Sequence, residues 1–111
     1  MVINTSNEPF CVTAYTMHEK PLCMSTASAS WMKDTLWEMN RIIVKPHMRR
    51  KGIGTALMKT LYEEAKKNGA TAIYVIPGGY DITYEEQVAF YKSVGFIDSK
   101  YNKEKILAKN L

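Results

Sequence analysis

Apolar positions recur along this chain with two different periods, and the change between them separates its elements. From Phe10 to Met17 (FCVTAYTM) β-branched and aromatic residues partly alternate with small and polar ones, which predicts a strand. His18 to Pro21 reads as a turn. Leu22 to about Ser30 (LCMSTASAS) predicts a weaker strand of small residues, and Trp31 to Thr35 a tight connection. Leu36 to Lys45 predicts the central strand, with Ile42, Ile43 and Val44 as its apolar run. Pro46 ends it, because proline has no N–H to give to a ladder. The period then lengthens. Ile53, Ala56, Leu57, Leu61 and Ala65 fall on one helical face, so a helix is predicted from Gly52 to Asn68, with Asn68-Gly69 as a left-handed stop. Ala70 to Ile76 (ATAIYVI) predicts a short buried strand, parallel to the central one if the helix between them makes the usual right-handed crossover. Thr83-x-x-Glu86 is a capping box that opens a second helix running to Val94, and Gly95 follows its end. Phe96 to Tyr101 and Lys105 to Ala108 predict a closing hairpin around Asn102-Lys103. Residues 1–9 are polar and are expected to be a flexible terminus. The predicted order is β-β-β-α-β-α-β-β, an α/β (α+β) domain with a mixed sheet over residues 10–111.

Composition changes this picture little. A hydrophobic content of 46% with 23% charged residues is ordinary for a folded domain. No run of apolar residues is long enough for a transmembrane helix, and MVINTSNEPF has neither the positive nor the apolar region of a secretion leader. Cys11 and Cys23 have no metal-ligand spacing and are expected to be small buried thiols in a reducing cytoplasm. The net charge of +4 suits a polyanionic ligand. A nucleic-acid surface would spread its cations over a face among aromatics, whereas here they gather at one turn, Arg49-Arg50-Lys51.

That turn stands between the central strand and the first helix. The first N–H groups of a helix have no partner within it, and the helix dipole adds about half a positive charge there. Gly52 and Gly54 leave room for a phosphate to approach the backbone. Spacing excludes two common phosphate devices. A P-loop needs Gly-Lys-Ser/Thr at its end, but Thr55 and Ala56 follow Gly54. A dinucleotide-binding turn needs a third glycine or alanine where Leu57 stands.

What remains is Arg49-x-x-Gly52-x-Gly54, followed 42 residues after Arg49 by Tyr91 in Phe90-Tyr91-Lys92-Ser93-Val94-Gly95-Phe96. The first segment resembles the Arg/Gln-x-x-Gly-x-Gly/Ala pyrophosphate loop of the GCN5-related N-acetyltransferases (GNAT), and the second resembles the FYxxxGF segment of the same family. The resemblance implies a short GNAT-like domain without the strand and two helices that usually come first, leaving the acceptor side open. It also implies acetyl-CoA as cosubstrate. The diphosphate would rest on the backbone from Arg49 to Gly54, including Lys51, Gly52 and Ile53, with charge from Arg49, Arg50 and Lys51. The pantetheine arm would follow the backbone of Ile42, Ile43 and Val44.

The implied reaction is direct attack of an amine, on a protein lysine or a small molecule, with no covalent enzyme intermediate. Tyr91 occupies the family's position for the proton donor to the leaving thiolate. Glu38, eleven residues before Arg49, occupies the position at which histone-type members carry a catalytic base, with an ordered water as the alternative. Strict strand alternation would put Glu38 on the face of Asn40, Ile42 and Val44. His47, Cys11 and Cys23 are weaker candidates for chemistry. Many members hold the cofactor with an asparagine where this chain has Tyr84. The expected partners are acetyl-CoA and an amine acceptor, with a second copy of the chain among those the resemblance allows. A fold that binds acyl-CoA without turning it over is the other reading.

Overall fold

The computed structural model describes residues 3–16, 25–45, 52–78, 83–101 and 103–111. Seven strands and two helices follow one another as β1 (Ile3–Glu8), β2 (Cys11–Thr16), β3 (Thr26–Lys33), β4 (Leu36–Ile43), α1 (Ile53–Lys67), β5 (Ala72–Val75), α2 (Tyr84–Ser93), β6 (Ile97–Tyr101) and β7 (Glu104–Asn110). One mixed sheet contains all seven strands in the order β1-β2-β3-β4-β5-β7-β6. Only β4 and β5 run parallel, as the crossover through α1 requires.

The helix positions follow from the pattern that predicts them. Leu57, Met58, Leu61 and Ala65 are wholly buried on one side of α1 and pack over Val12, Ala14, Ala27 and Ala29 of β2 and β3. Full burial of one such leucine contributes about 1.5–3 kcal/mol. The alanines explain the weak pattern of the third strand, since small side chains let α1 lie close to the sheet. Helix α2 packs on the same face. Its Phe90 ring meets the start of α1, and the Tyr62 hydroxyl of α1 donates to the Val94 carbonyl at 2.8 Å. Tyr91, Phe96, Ile73 and Leu107 complete this core.

One strand departs from expectation. The polar segment read as a flexible terminus forms β1, paired antiparallel with β2 through a turn at Pro9-Phe10. Its stability is tertiary. Ile3 packs on the core and the Asn7 amide donates to Glu64 of α1 at 3.0 Å, contacts that no local hydrophobic period reveals. That hydrogen bond holds the Glu64 carboxyl below its usual range. Boundaries shift elsewhere: β3 continues to Lys33 through the expected connection, and β7 extends to Asn110.

A second departure lies inside β4. Ser28 pairs with Arg41 but Ala29 pairs with Met39, leaving Asn40 as an extra residue, a β-bulge. Strand alternation resets there. Met39 before the bulge and Ile42 after it both face the helices, opposite Ala29 and Ala27. Glu38 therefore does not share a face with Ile42 and Val44, as strict alternation had put it. It lies on the opposite face of the sheet.

Candidate active site

Strands β4 and β5 pair only from Leu36↔Ala72 through Glu38↔Tyr74. Beyond that point they part, while β4 continues its pairing with β3 as far as Ile43. Among the described residues the β5-facing backbone edge of Met39–Ile43 therefore has no strand partner. An open edge in the middle of a sheet is costly unless something pairs with it. A buried clamp fixes the end of this strand. Thr16 and Ser25 are fully buried, the Ser25 N–H donates to Thr16 Oγ1 at 2.9 Å, and the Lys45 N–H donates to Ser25 Oγ at 3.0 Å. Neither clamp residue is marked out in the sequence, because serine and threonine look the same there whether capping, exposed or buried.

The open strand leads toward the start of α1. Arg49, Arg50 and Lys51, with Pro46, His47 and Cys23, lie outside the described residues. From Gly52 onward the geometry is clear. Gly52 caps α1 with φ 75°, a left-handed conformation that favours glycine, and a Cβ there would meet nothing within 4 Å. Among the described residues no side chain caps α1, and no acidic residue stands in its first turn. The first N–H to find an intrahelical partner is that of Ala56, on the Gly52 carbonyl at 3.0 Å. The N–H groups of Ile53, Gly54 and Thr55 precede it as donors outside the helical ladder.

The two glycines have different roles. A Cβ on Gly54 would sit 3.1 Å from the Phe90 ring and 3.4 Å from Val44, so Gly54 allows α1, α2 and β4 to meet. The two sequence motifs are thus one packing unit: the glycine of the first accommodates the phenylalanine of the second. The Ile53 side chain is buried in the core, so only its backbone is available to a ligand.

Tyr91 follows Phe90 and is 5% exposed, with its ring edge-on to Phe96 at 5.1 Å. Burial pushes its hydroxyl up to about 12. It therefore stays protonated across the physiological range. Full transfer of its proton to a thiolate of pKa about 8.5 is uphill by about 3.5 pKa units, or about 5 kcal/mol at 1.36 per unit. In this setting Tyr91 serves better as a hydrogen-bond donor to a developing thiolate than as a complete proton source.

Glu38 is half-buried where β4 and β5 part, on the face of the sheet away from the helices. Tyr74 is its partner in register. Burial raises the Tyr74 pKa most, and the neighbouring charges of Glu38, Tyr101 and Glu104 raise it further. Asn40, extruded by the bulge, accepts from the Ser30 hydroxyl at 2.7 Å on the same face. The structure thus brings Gly52, Ile53, Gly54 and the edge of Ile42 and Ile43 to one end of the opening, with Val44 packed against Gly54, and Glu38 to its vertex. Tyr91 belongs to the helix-side core, across the sheet from Glu38. Tyr84, where many family members carry asparagine, starts α2 and is 59% exposed. Tyr74 was missed in the sequence; its only signal is an aromatic at an alternate position in ATAIYVI.

The family model for the acetyltransferase (GNAT) domain matches residues 8–98, and the chain belongs to that family. It is 32% identical over 81 residues to an uncharacterized N-acetyltransferase of Methanocaldococcus jannaschii. The match takes in 69% of this chain and spans about a third (34%) of that curated relative. Among solved structures it resembles the PaiA N-acetyltransferase of Thermoplasma acidophilum in complex with coenzyme A, with a TM-score of 0.71 and 16% identity over 92% of this chain and 62% of the other. It also resembles an aminoglycoside 6'-N-acetyltransferase complexed with coenzyme A, with a TM-score of 0.73 and 19% identity over 92% of this chain and 73% of the other. At these identities the likeness to solved structures is one of fold. Among the described residues no helix is long and apolar enough to cross a membrane.

Proposed function

We propose that the chain is an acetyl-CoA-dependent N-acetyltransferase that passes the acetyl group directly to an amine. One observation carries this reading: the bare, glycine-led start of α1 stands beyond the end of a strand whose neighbouring edge is open. A diphosphate-bearing, amide-containing arm matches both features, with anionic oxygens for the helix N–H groups and amides for the strand edge. The solved relatives bound to coenzyme A support the same assignment. Gly52, Ile53 and Gly54 would hold the diphosphate through their backbone, with charge from Arg49, Arg50 and Lys51. Ile42, Ile43 and Val44 would pair with the arm through theirs.

Acetyl-CoA supplies the thioester whose acetyl carbon the amine attacks. An alkylamine of pKa about 10.4 arrives protonated and must lose a proton first. Glu38, or a water it orders, accepts that proton at the vertex of the opening. The C–N bond forms as the C–S bond breaks, and the Tyr91 hydroxyl hydrogen-bonds the departing sulfur from the helix side. The acceptor is a protein lysine or a small amine, and the reaction belongs in the cytoplasm.

Calorimetric titration of acetyl-CoA tests the reading, with the double variant Arg49→Glu/Gly52→Asp as control. Micromolar affinity that the control loses is the expected result. Absence of binding at low salt would overturn it.

A further inference from the structure

On the sheet face away from the helices, Tyr74 and Tyr101 stack with centroids 5.6 Å apart and ring planes 17° from parallel. They come from the strands on either side of β7, whose Ile106 is 7% exposed yet outside the main core. Tyr74 is the inner ring at 4% exposure, and Tyr101 is half-buried and outer. Tyr74 and Glu38 form the last paired register before β4 and β5 diverge, so this stack flanks the vertex of the opening. The helix side of the same vertex is filled by Trp37, Met39 and Tyr91. An acceptor therefore reaches the reacting carbonyl from the tyrosine side. Glu38 is in no ion pair among the described residues, although the chain carries an excess of cations.

We propose that Tyr74 and Tyr101 form the acceptor side of the site: Tyr74 is a positioning residue that aims the Glu38 carboxylate at the opening, and Tyr101 packs on the alkyl chain of an alkylammonium acceptor whose cationic head turns inward to Glu38. This rests on the acetyltransferase reading above. The physical basis is that a tyrosine ring body packs on methylenes while its polar rim stays in water. Glu38 supplies the full negative charge that such an acceptor needs beside it. A lysine side chain and an aliphatic diamine share this chemistry.

The test compares wild type with Tyr74→Phe, Tyr101→Phe and Tyr101→Leu. Each is read by acetyl-CoA affinity, by steady-state turnover with a lysine peptide and with 1,4-diaminobutane, and by direct calorimetry of 1,4-diaminobutane without cofactor. All variants should keep the wild-type acetyl-CoA affinity within about twofold. Tyr101→Leu should raise acceptor KM and Kd about fivefold, and Tyr101→Phe should restore both, because the flat ring and not the hydroxyl makes the methylene contact. Tyr74→Phe keeps the ring but removes the hydroxyl, and should lower kcat about tenfold or more at little-changed KM. The better of the two acceptors identifies the source. Acceptor KM and Kd unchanged in Tyr101→Leu, or acetyl-CoA binding with no turnover of either amine, overturns this proposal while the cofactor site stands. Failure to bind acetyl-CoA overturns the acetyltransferase reading itself, and the diamine calorimetry still shows whether the tyrosines take an alkylammonium.

Discussion

Helices α1 and α2 start in opposite ways. The Thr83 side chain caps α2 by accepting from the Glu86 N–H at 3.1 Å, and Glu85 and Glu86 oppose its dipole in the first turn. Helix α1, half as long again, begins at a left-handed glycine with no side-chain cap among the described residues and no acid in its first turn. A helix that needed only to be stable would begin like α2. The bare start of α1 leaves its donors and its dipole unanswered, which is useful only if something anionic answers them. On the proposed function, the difference separates a terminus that serves folding from one that serves a ligand.

Making α1 resemble α2 should break the comparison with the largest effect. Gly52→Asp puts a carboxylate where the ligand's anion belongs. Acetyl-CoA affinity by calorimetry should fall about a hundredfold, as the loss of one or two charge-assisted hydrogen bonds implies, and the left-handed backbone at this position adds a stability cost of about 1–2 kcal/mol. An unchanged affinity would mean that the bare terminus has no ligand.

Tyr91→Phe should lower kcat about ten- to a hundredfold with acetyl-CoA affinity kept within twofold, because its hydroxyl acts on the departing sulfur. The same variant has a signature in alkali. The Tyr91 pKa is raised from 10.0 to about 12 in the folded chain, so the unfolded state loses its proton first. The resulting stability is fully present below pH 10 and is lost as pH rises toward 12. For one group this amounts to about 3 kcal/mol. Urea unfolding from pH 9 to 12 should be less steep in pH for Tyr91→Phe than for wild type. Equal slopes would show that the hydroxyl is not buried as described.

Gly54→Ala sharpens the contrast between the two glycines of the turn. The new methyl group would press on Phe90, so the expected cost is about 1–2 kcal/mol of stability, partly relieved by adding Phe90→Leu. A loss of cofactor affinity without a loss of stability would instead assign Gly54 to the ligand. The smallest effect belongs to the capped helix. Thr83→Ala should cost about 1 kcal/mol, read by urea unfolding, and leave acetyl-CoA affinity untouched.

Local physics was legible in the sequence. The period change at Gly52, the capping box at Thr83 and the hairpin ending in β7 depend on neighbours within a few residues, and the structure follows them. The left-handed Gly52 that opens α1 was legible in the same way. The GNAT motifs were legible for the same reason. Tertiary packing decided the rest. The polar strand β1 is held by Asn7 on Glu64 and by Ile3 on the core, partners that lie far along the chain. The Asn40 bulge turns Glu38 away from Ile42 because β3 and β4 must both present small or apolar residues to α1, a constraint between strands that neither shows alone. The pairing of Glu38 with Tyr74, and of Tyr74 with Tyr101, follows from the parting of β4 and β5 and from the strand order β5-β7-β6. Sequence by itself determined both helices and the strands whose apolar period is local, because those signals act between neighbours. Only the assembled sheet decided which side chains meet at the opening, because register and face are properties of paired strands.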